Sequence, residues 1–266
     1  MPQKAPFGFV ALPTARSVAK PRKRGLTMAI DDGLPLAHAR DIVALSGAYI
    51  DLFKIKTGTA RFYTRAALVS KLKLYKRHRI QPFLGGQFHE YVYATQGSRA
   101  LRAFYREARA LGFKAIEISD NVVPLSPQQR RSQIRNAIGA GLSVYGEVGS
   151  KETLSDPALL VRQAEDCFGA GAELVLVEAA ELVEGGRLRR QTLELLTRSL
   201  DMARVMIELP GPWISGVRSC DIEDMKKALV AELGPDVNLA NVAPTSIIDT
   251  EATRTGLGTA GPLKSP

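Results

Sequence analysis

The chain has 266 residues, 45% hydrophobic and 24% charged, a balance usual for a globular protein and a length that suits either two domains or one α/β barrel. Its two cysteines, Cys167 and Cys220, lie too far apart to form a disulfide framework or a metal-ligand motif, which fits a reducing, cytoplasmic setting. No apolar run approaches the ~20 residues of a membrane span.

The formal net charge is +9, and residues 1–24 supply six of those charges through Lys4, Arg16, Lys20, Arg22, Lys23 and Arg24, with no acid among them. Such a segment reads either as a tether or transit peptide or as a solvated basic arm. It has neither the apolar stretch of a secretory signal nor the interleaved aromatics of a nucleic-acid platform. The arm is therefore expected to be solvated, with neither nucleic acid nor membrane as a partner. A positive surplus also suits a small anionic substrate.

Beyond the arm, an apolar run at 25–30 ends in Asp31-Asp32-Gly33. A helix is predicted over 35–48 from the stripe Ala37, Ile42, Val43 and Leu45. A strand over 49–55 runs out into KTGTA, and Thr64 caps a helix over 64–79. A third strand, 81–84, ends at Gly85-Gly86. A helix over 98–111 stops at Gly112, and a strand over 113–119 ends at Asp120-Asn121. Ser126-Pro127 opens a helix over 126–140. The fifth strand, 142–147, ends in a turn carrying Glu147, Gly149 and Lys151. Asp156-Pro157 opens a helix over 157–170, followed by a strand at 173–178 and a helix at 189–200. The seventh strand, 204–208, leads into Pro210-Gly211-Pro212. A helix over 222–233 stops at Gly234-Pro235. The eighth strand, 237–239, ends near Asn241, and Thr245 or Ser246 opens a last short helix.

Eight strand–helix alternations imply a parallel sheet closed as a single (β/α)8 TIM barrel over 25–258, with a flexible tail at 259–266. An open doubly wound sheet is the alternative, but neither GxGxxG nor GxxxxGK[ST] is present to support nucleotide binding.

In such barrels the chemistry sits at the C-terminal ends of the strands. The residues there are Asp31, Lys54, Lys56, Gly85-Gly86 with Glu90, Glu117 and Ser119, Glu147 and Lys151, Glu178, Glu208, and Asn238 with Asn241. Five strands thus bring an acid to one rim, where the acids repel unless cations compensate. All-oxygen ligands without His or Cys clusters point to Mg²⁺, with salt bridges to Lys54, Lys56 and Lys151 as the alternative. The lysines, the Gly85-Gly86 amides and the turn at 241–245 offer sites for anions. His38 and His78 are expected on helix surfaces, His89 in a loop that could face the mouth, and Trp213 as a lid or a core rim residue.

The motifs RGLTMAIDDGL, YIDLFKIKTGTA, GGQFHEYVY, IEISD, GEVGSK, LVEA and VNLANVAP…IIDTEATRTGL occur in the order and spacing of one family. Over residues 21–257 the chain resembles the phosphosulfolactate synthases. The resemblance implies a (β/α)8 enzyme, a homo-oligomer, that adds sulfite to phosphoenolpyruvate with Mg²⁺. It implies Lys151 as the proton donor, with Glu147 beside it. Asp31, Glu117, Glu147, Glu178 and Glu208 become direct or water-mediated Mg²⁺ ligands. Lys54, Lys56, Gly85, Gly86 and Asn241 become the binding set for phosphate or sulfite.

Three stretches depart from the family pattern. KIKTGTA keeps Lys54, Gly58 and Thr59 of KFGWGTS but loses its aromatic. Ala180 stands where the family has an arginine. ELPGPWIS keeps Glu208 and Pro210 but lacks the following glutamines. Either Arg187, Arg189 or Lys56 compensates, or the substrate is another small enol-phosphate or carboxylate. A non-catalytic, stress-associated role is the remaining alternative.

Overall fold

The computed structural model describes residues 6–14, 16–150, 154–184, 187–211, 213–214 and 216–257; the tail expected at 259–266 lies outside them. Eight parallel strands close into a barrel: β1 (Thr27–Asp31), β2 (Leu52–Ile55), β3 (Gln81–Leu84), β4 (Ala115–Ile118), β5 (Ser143–Val148), β6 (Leu174–Val177), β7 (Val205–Glu208) and β8 (Leu239–Val242). Each strand pairs with the next, and β8 pairs back to β1. Around them lie α1 (Leu36–Ser46), α2 (Arg65–Arg77), α3 (Gly86–Gln96), α4 (Ser98–Leu111), α5 (Pro127–Gly139), α6 (Pro157–Ala170), α7 (Arg190–Ser199), α8 (Ser219–Leu233) and α9 (Ile247–Thr255). The (β/α)8 barrel read from the sequence is the observed fold.

Successive side chains of a strand face opposite sides, so each barrel strand feeds two cores. Met28, Leu52, Phe83, Tyr145, Leu176 and Met206 fill the interior, where the Phe83 and Tyr145 rings meet edge to face at 4.9 Å. Ala29, Phe53, Ile116, Val144, Val175 and Ile207 point outward into the layer shared with the helices. Two residues past Leu52, Ala115, Tyr145 and Met206, the same inward face presents Lys54, Glu117, Glu147 and Glu208 at the C-terminal mouth.

The predicted caps form. Thr64 Oγ1 accepts the Ala67 N–H, Asp156 accepts the Ala158 N–H, and Ser126 and Gln129 close a reciprocal capping box. Gly112 takes φ 102° and ends α4 in the left-handed region, which glycine enters without steric cost.

Four expectations change. The segment after Gly85-Gly86 is not a loop but the helix α3. The segment after β6 holds a 3₁₀ turn, Ala179–Leu182, and a short antiparallel pair, Val183–Glu184 with Arg187–Leu188. The eighth strand begins two residues later than predicted, which puts Asn238 at the barrel's base. There its Nδ2 donates to the carbonyls of Met202, Ala203 and Val205, and its Oδ1 accepts the Leu26 N–H.

The basic arm is the fourth. Three of its charged side chains are not solvated but bound to the barrel's base. Arg16 Nε lies 2.9 Å from Glu251 and its Nη1 3.2 Å from Asp236. Arg22 lies 2.8 Å from Asp51, and Lys20 Nζ donates to the carbonyl of Gly47 at 2.7 Å. Asp51 just before β2, Asp236 in the loop before β8 and Glu251 on α9 hold the two arginines by charge-assisted hydrogen bonds.

Candidate active site

The mouth cavity has a volume of about 330 Å³, room for a small ligand. Its base is an ionic cluster. Lys54 Nζ lies 2.8 Å from Glu117 Oε2 and 3.1 Å from Glu208 Oε1. Ligand-capable oxygens of Glu117, Glu147 and Glu208 all lie within 4.8 Å of one another. All three glutamates are buried, and Lys54 is 8% exposed. Gly85 makes room for the lysine: a Cβ there would sit 3.2 Å from Lys54 Cε.

The electrostatics follow from three acids facing one base. Burial opposes the charge on Lys54, but Glu117, Glu208 and Glu147 outweigh it and hold its pKa well above the ordinary lysine value. Burial raises Glu117 well above the usual carboxylate range; Lys54 pulls the other way, and Glu147 and Glu208 add to the rise. Lys54 therefore keeps its ammonium, and Glu117 holds a proton more readily than a free carboxyl.

This donor set fits a divalent cation. With all three acids ionised, the buried cluster carries two negative charges beyond what Lys54 neutralises, and buried charge demands compensation. The ligands are all oxygens, the set that hard cations take. Asn241 also lines the cavity, held at φ 59°, and its buried Oδ1 has no hydrogen-bond partner.

Of the sequence-predicted residues, Lys54, Lys56, Gly85, Gly86, Glu117, Glu147, Glu208 and Asn241 all line this one cavity. The two glycine amides, however, are engaged internally. Gly85 N–H donates to the Ile55 carbonyl at 3.0 Å and Gly86 N–H to Glu117 Oε1 at 2.7 Å. Both N–H groups thus already have a partner within the fold. Lys56 Nζ stands 3.4 Å from the Trp213 ring centroid, so Trp213 forms a wall of the mouth.

Asp31 is not with the cluster. It follows the inward-facing Ile30 on β1, so its carboxylate faces α2. There it meets Lys71 Nζ at 2.8 Å and the Tyr75 hydroxyl at 2.6 Å, and accepts the N–H groups of Gly33 and Leu34. Glu178 is buried at the end of β6, where it accepts the Ala180 N–H at 3.5 Å and stands outside the close trio. His38 and His78 are exposed as expected. His89 lies on α3, buried and stacked on Tyr105, with Nε2 2.9 Å from the Tyr105 hydroxyl. Burial lowers its pKa to about 4. Lys151 lies outside the described residues, as does the side chain of Arg187.

Two residues with no predicted role contact these elements. Asn121 Nδ2 donates to Glu147 Oε1. Glu181, fully buried on the 3₁₀ turn, accepts the N–H groups of Ser150 and Ser155, each at 2.7 Å, and the Ser155 hydroxyl at 2.5 Å. It thereby ties both flanks of the segment that carries Lys151. A carboxylate immediately after Ala179-Ala180 gave no such signal, because its partners are mainly backbone N–H groups.

A closed (β/α)8 barrel with a buried carboxylate–lysine cluster at its C-terminal mouth has the architecture of a TIM-barrel enzyme. A solved structure of 3-hexulose-6-phosphate synthase from Salmonella typhimurium shares this fold with a TM-score of 0.53 and 16% identity, covering 85% of this chain and 96% of its own. The family model described as (2R)-phospho-3-sulfolactate synthase matches residues 15–259. The phosphosulfolactate synthase of Methanothermobacter thermautotrophicus is 31% identical over 262 residues, covering 94% of this chain and 95% of the relative. That of Bacillus subtilis is 30% identical over 253 residues, covering 90% and 92%. The chain belongs to the phosphosulfolactate synthase family. No helix among the described residues is long and apolar enough to cross a membrane.

Proposed function

We propose that this chain is a phosphosulfolactate synthase, a Mg²⁺-dependent carbon–sulfur lyase that adds sulfite to phosphoenolpyruvate. The observation that carries this reading is the buried trio Glu117, Glu147 and Glu208, with Lys54 paired to Glu117 and Glu208, at the mouth of a barrel of this family. In the reaction the sulfite sulfur lone pair forms a bond to the methylene carbon. The displaced π electrons collect at the α-carbon and its carboxylate, and one proton then adds to the α-carbon to give phosphosulfolactate.

Glu117, Glu147 and Glu208 would hold the cation, directly or through water. When bound, Mg²⁺ supplies a positive charge close to the substrate carboxylate, where negative charge accumulates. Lys54 keeps two of the glutamates in fixed rotamers and reduces their mutual repulsion. Lys56, with its ammonium against Trp213, and Asn241, with its unsatisfied amide oxygen, also line the cavity. Lys56 would orient the anionic groups of the substrate, and Asn241 Oδ1 would accept from a bound water. Lys151 is assigned the proton donor, acting as a general acid toward the α-carbon. Glu181 accepts the N–H groups of Ser150 and Ser155 on either side of it.

The test is the enol absorbance of phosphoenolpyruvate. It should fall only when enzyme, sulfite and Mg²⁺ are all present, and Lys151→Ala should abolish the fall. Full activity in Lys151→Ala would overturn the proton-donor assignment alone. No consumption of phosphoenolpyruvate by the unmodified protein would overturn the reaction.

A further inference from the structure

The helix α3 meets the acidic cluster at its first residue and the loop after β4 one turn later. At its start, Gly86 N–H donates to Glu117 Oε1 at 2.7 Å. One turn on, Glu90 is 2% exposed, and its carboxylate is filled from the loop after β4. Oε2 accepts the N–H groups of Val122 and Val123 at 2.7 and 2.8 Å, and Oε1 accepts the Ser119 hydroxyl. These donors flank Asn121 on both sides, and Arg130 pairs with Asp120 immediately before it. The residue so enclosed is the one whose side-chain amide donates to Glu147 Oε1.

A buried carboxylate is a costly way to hold a loop unless the loop's geometry matters. Here it fixes the backbone that carries the amide donor to Glu147. Outer groups that orient a ligand govern affinity almost as much as the ligands do. We propose that Glu90 and Asn121 are positioning residues that act in series: Glu90 sets the loop, Asn121 sets the Glu147 carboxylate, and the pair thereby sets the site's affinity for its divalent cation. This rests on the reading of Glu147 as a cation ligand. It makes α3 the element that aligns two of the three acids, Glu117 through a backbone amide and Glu147 through the Glu90-bound loop.

The test measures Mn²⁺ binding, by electron paramagnetic resonance of the free ion, to the full chain without substrate. Asn121→Ala and Glu90→Gln should each weaken binding by about tenfold or more. The double variant should be no weaker than the weaker single variant, because Glu90 acts only through Asn121. The Mg²⁺ concentration for half-maximal activity should rise in the same proportion, with kcat at saturating Mg²⁺ little changed. Thermal melting identifies a folded variant; if Glu90→Gln does not fold, Ser119→Ala removes one partner of Glu90 and should shift affinity in the same direction. Unchanged Mn²⁺ affinity in either single variant, multiplicative losses in the double variant, or no saturable Mn²⁺ binding by the unmodified protein would overturn the proposal. Failure of the unmodified protein to make phosphosulfolactate would defeat the functional reading while leaving these binding results to be judged separately.

Discussion

Lys54 Nζ sits 2.8 Å from Glu117 Oε2 with both side chains buried, yet Glu117 keeps a raised pKa because burial and the charges of Glu147 and Glu208 outweigh the pull of Lys54. The folded value lies above the unfolded one of about 4.5. The protonated form therefore favours the fold, and this contribution is lost as pH rises from the unfolded value through the folded one. Metal ligands must be deprotonated to bind. A cation competes with protonation of Glu117, so Mn²⁺ should bind more tightly as pH rises, by at most about tenfold per unit for one proton. Titrations at several pH values should show this slope, and Glu117→Gln should flatten it while weakening binding. A pH-independent affinity in the unmodified protein would contradict the raised Glu117.

Asp31 separates structure from chemistry. Its substitution by Asn leaves Lys71 buried beside a neutral amide, and breaking a buried pair costs about 3–5 kcal/mol. Urea unfolding of Asp31→Asn should show a loss of that size. The Mn²⁺ affinity of the folded fraction should not change, since Asp31 faces α2 and not the cavity.

Gly86 is sterically required. A Cβ there would overlap the Ser119 hydroxyl and stand 2.9 Å from Ser119 Cβ and 3.0 Å from Glu117 Oε1. Gly86→Ala should lower stability by about 1–3 kcal/mol, the range for overpacking. It should also weaken Mn²⁺ binding, since Glu117 must move. Denaturant titration and the Mn²⁺ assay read the two effects separately.

Trp213 is the one tryptophan of the chain, and it lines the mouth. Its emission should respond to phosphoenolpyruvate. Lys56→Met removes the ammonium 3.4 Å from its ring centroid; this should change the emission of the ligand-free protein and lower stability by about 0.5–1 kcal/mol. Emission indifferent to both changes would place Trp213 away from the site in solution.

The sequence carried the barrel because its signals are local: caps at Thr64, Ser126 and Asp156, and glycines ending the helices. It carried Lys54, Glu117, Glu147 and Glu208 because each follows an inward apolar residue by two. The same alternation separates Asp31, one residue past Ile30, once the register of β1 is known; strand-end position alone does not. The helix α3 escaped because Gly-Gly and a run of aromatics are poor helix formers, and its formation rests on tertiary partners of His89 and Glu90. Asn121 and Glu181 act on segments distant in sequence, Asn121 through its side-chain amide on Glu147 and Glu181 through backbone N–H groups, and neither contact leaves a local pattern in residue identity. The arm read as solvated because the carboxylates that bind it, Asp51, Asp236 and Glu251, come from three distant segments.

The most direct test is the product itself. The protein is incubated with phosphoenolpyruvate, Mg²⁺ and isotopically labelled sulfite, and the phosphorylated species are followed by phosphorus NMR and mass spectrometry. The expected result is one organic phosphate whose mass is that of phosphoenolpyruvate plus one labelled sulfite, formed only with Mg²⁺ present. Unchanged phosphoenolpyruvate, or release of inorganic phosphate without incorporation of the label, would contradict the assignment.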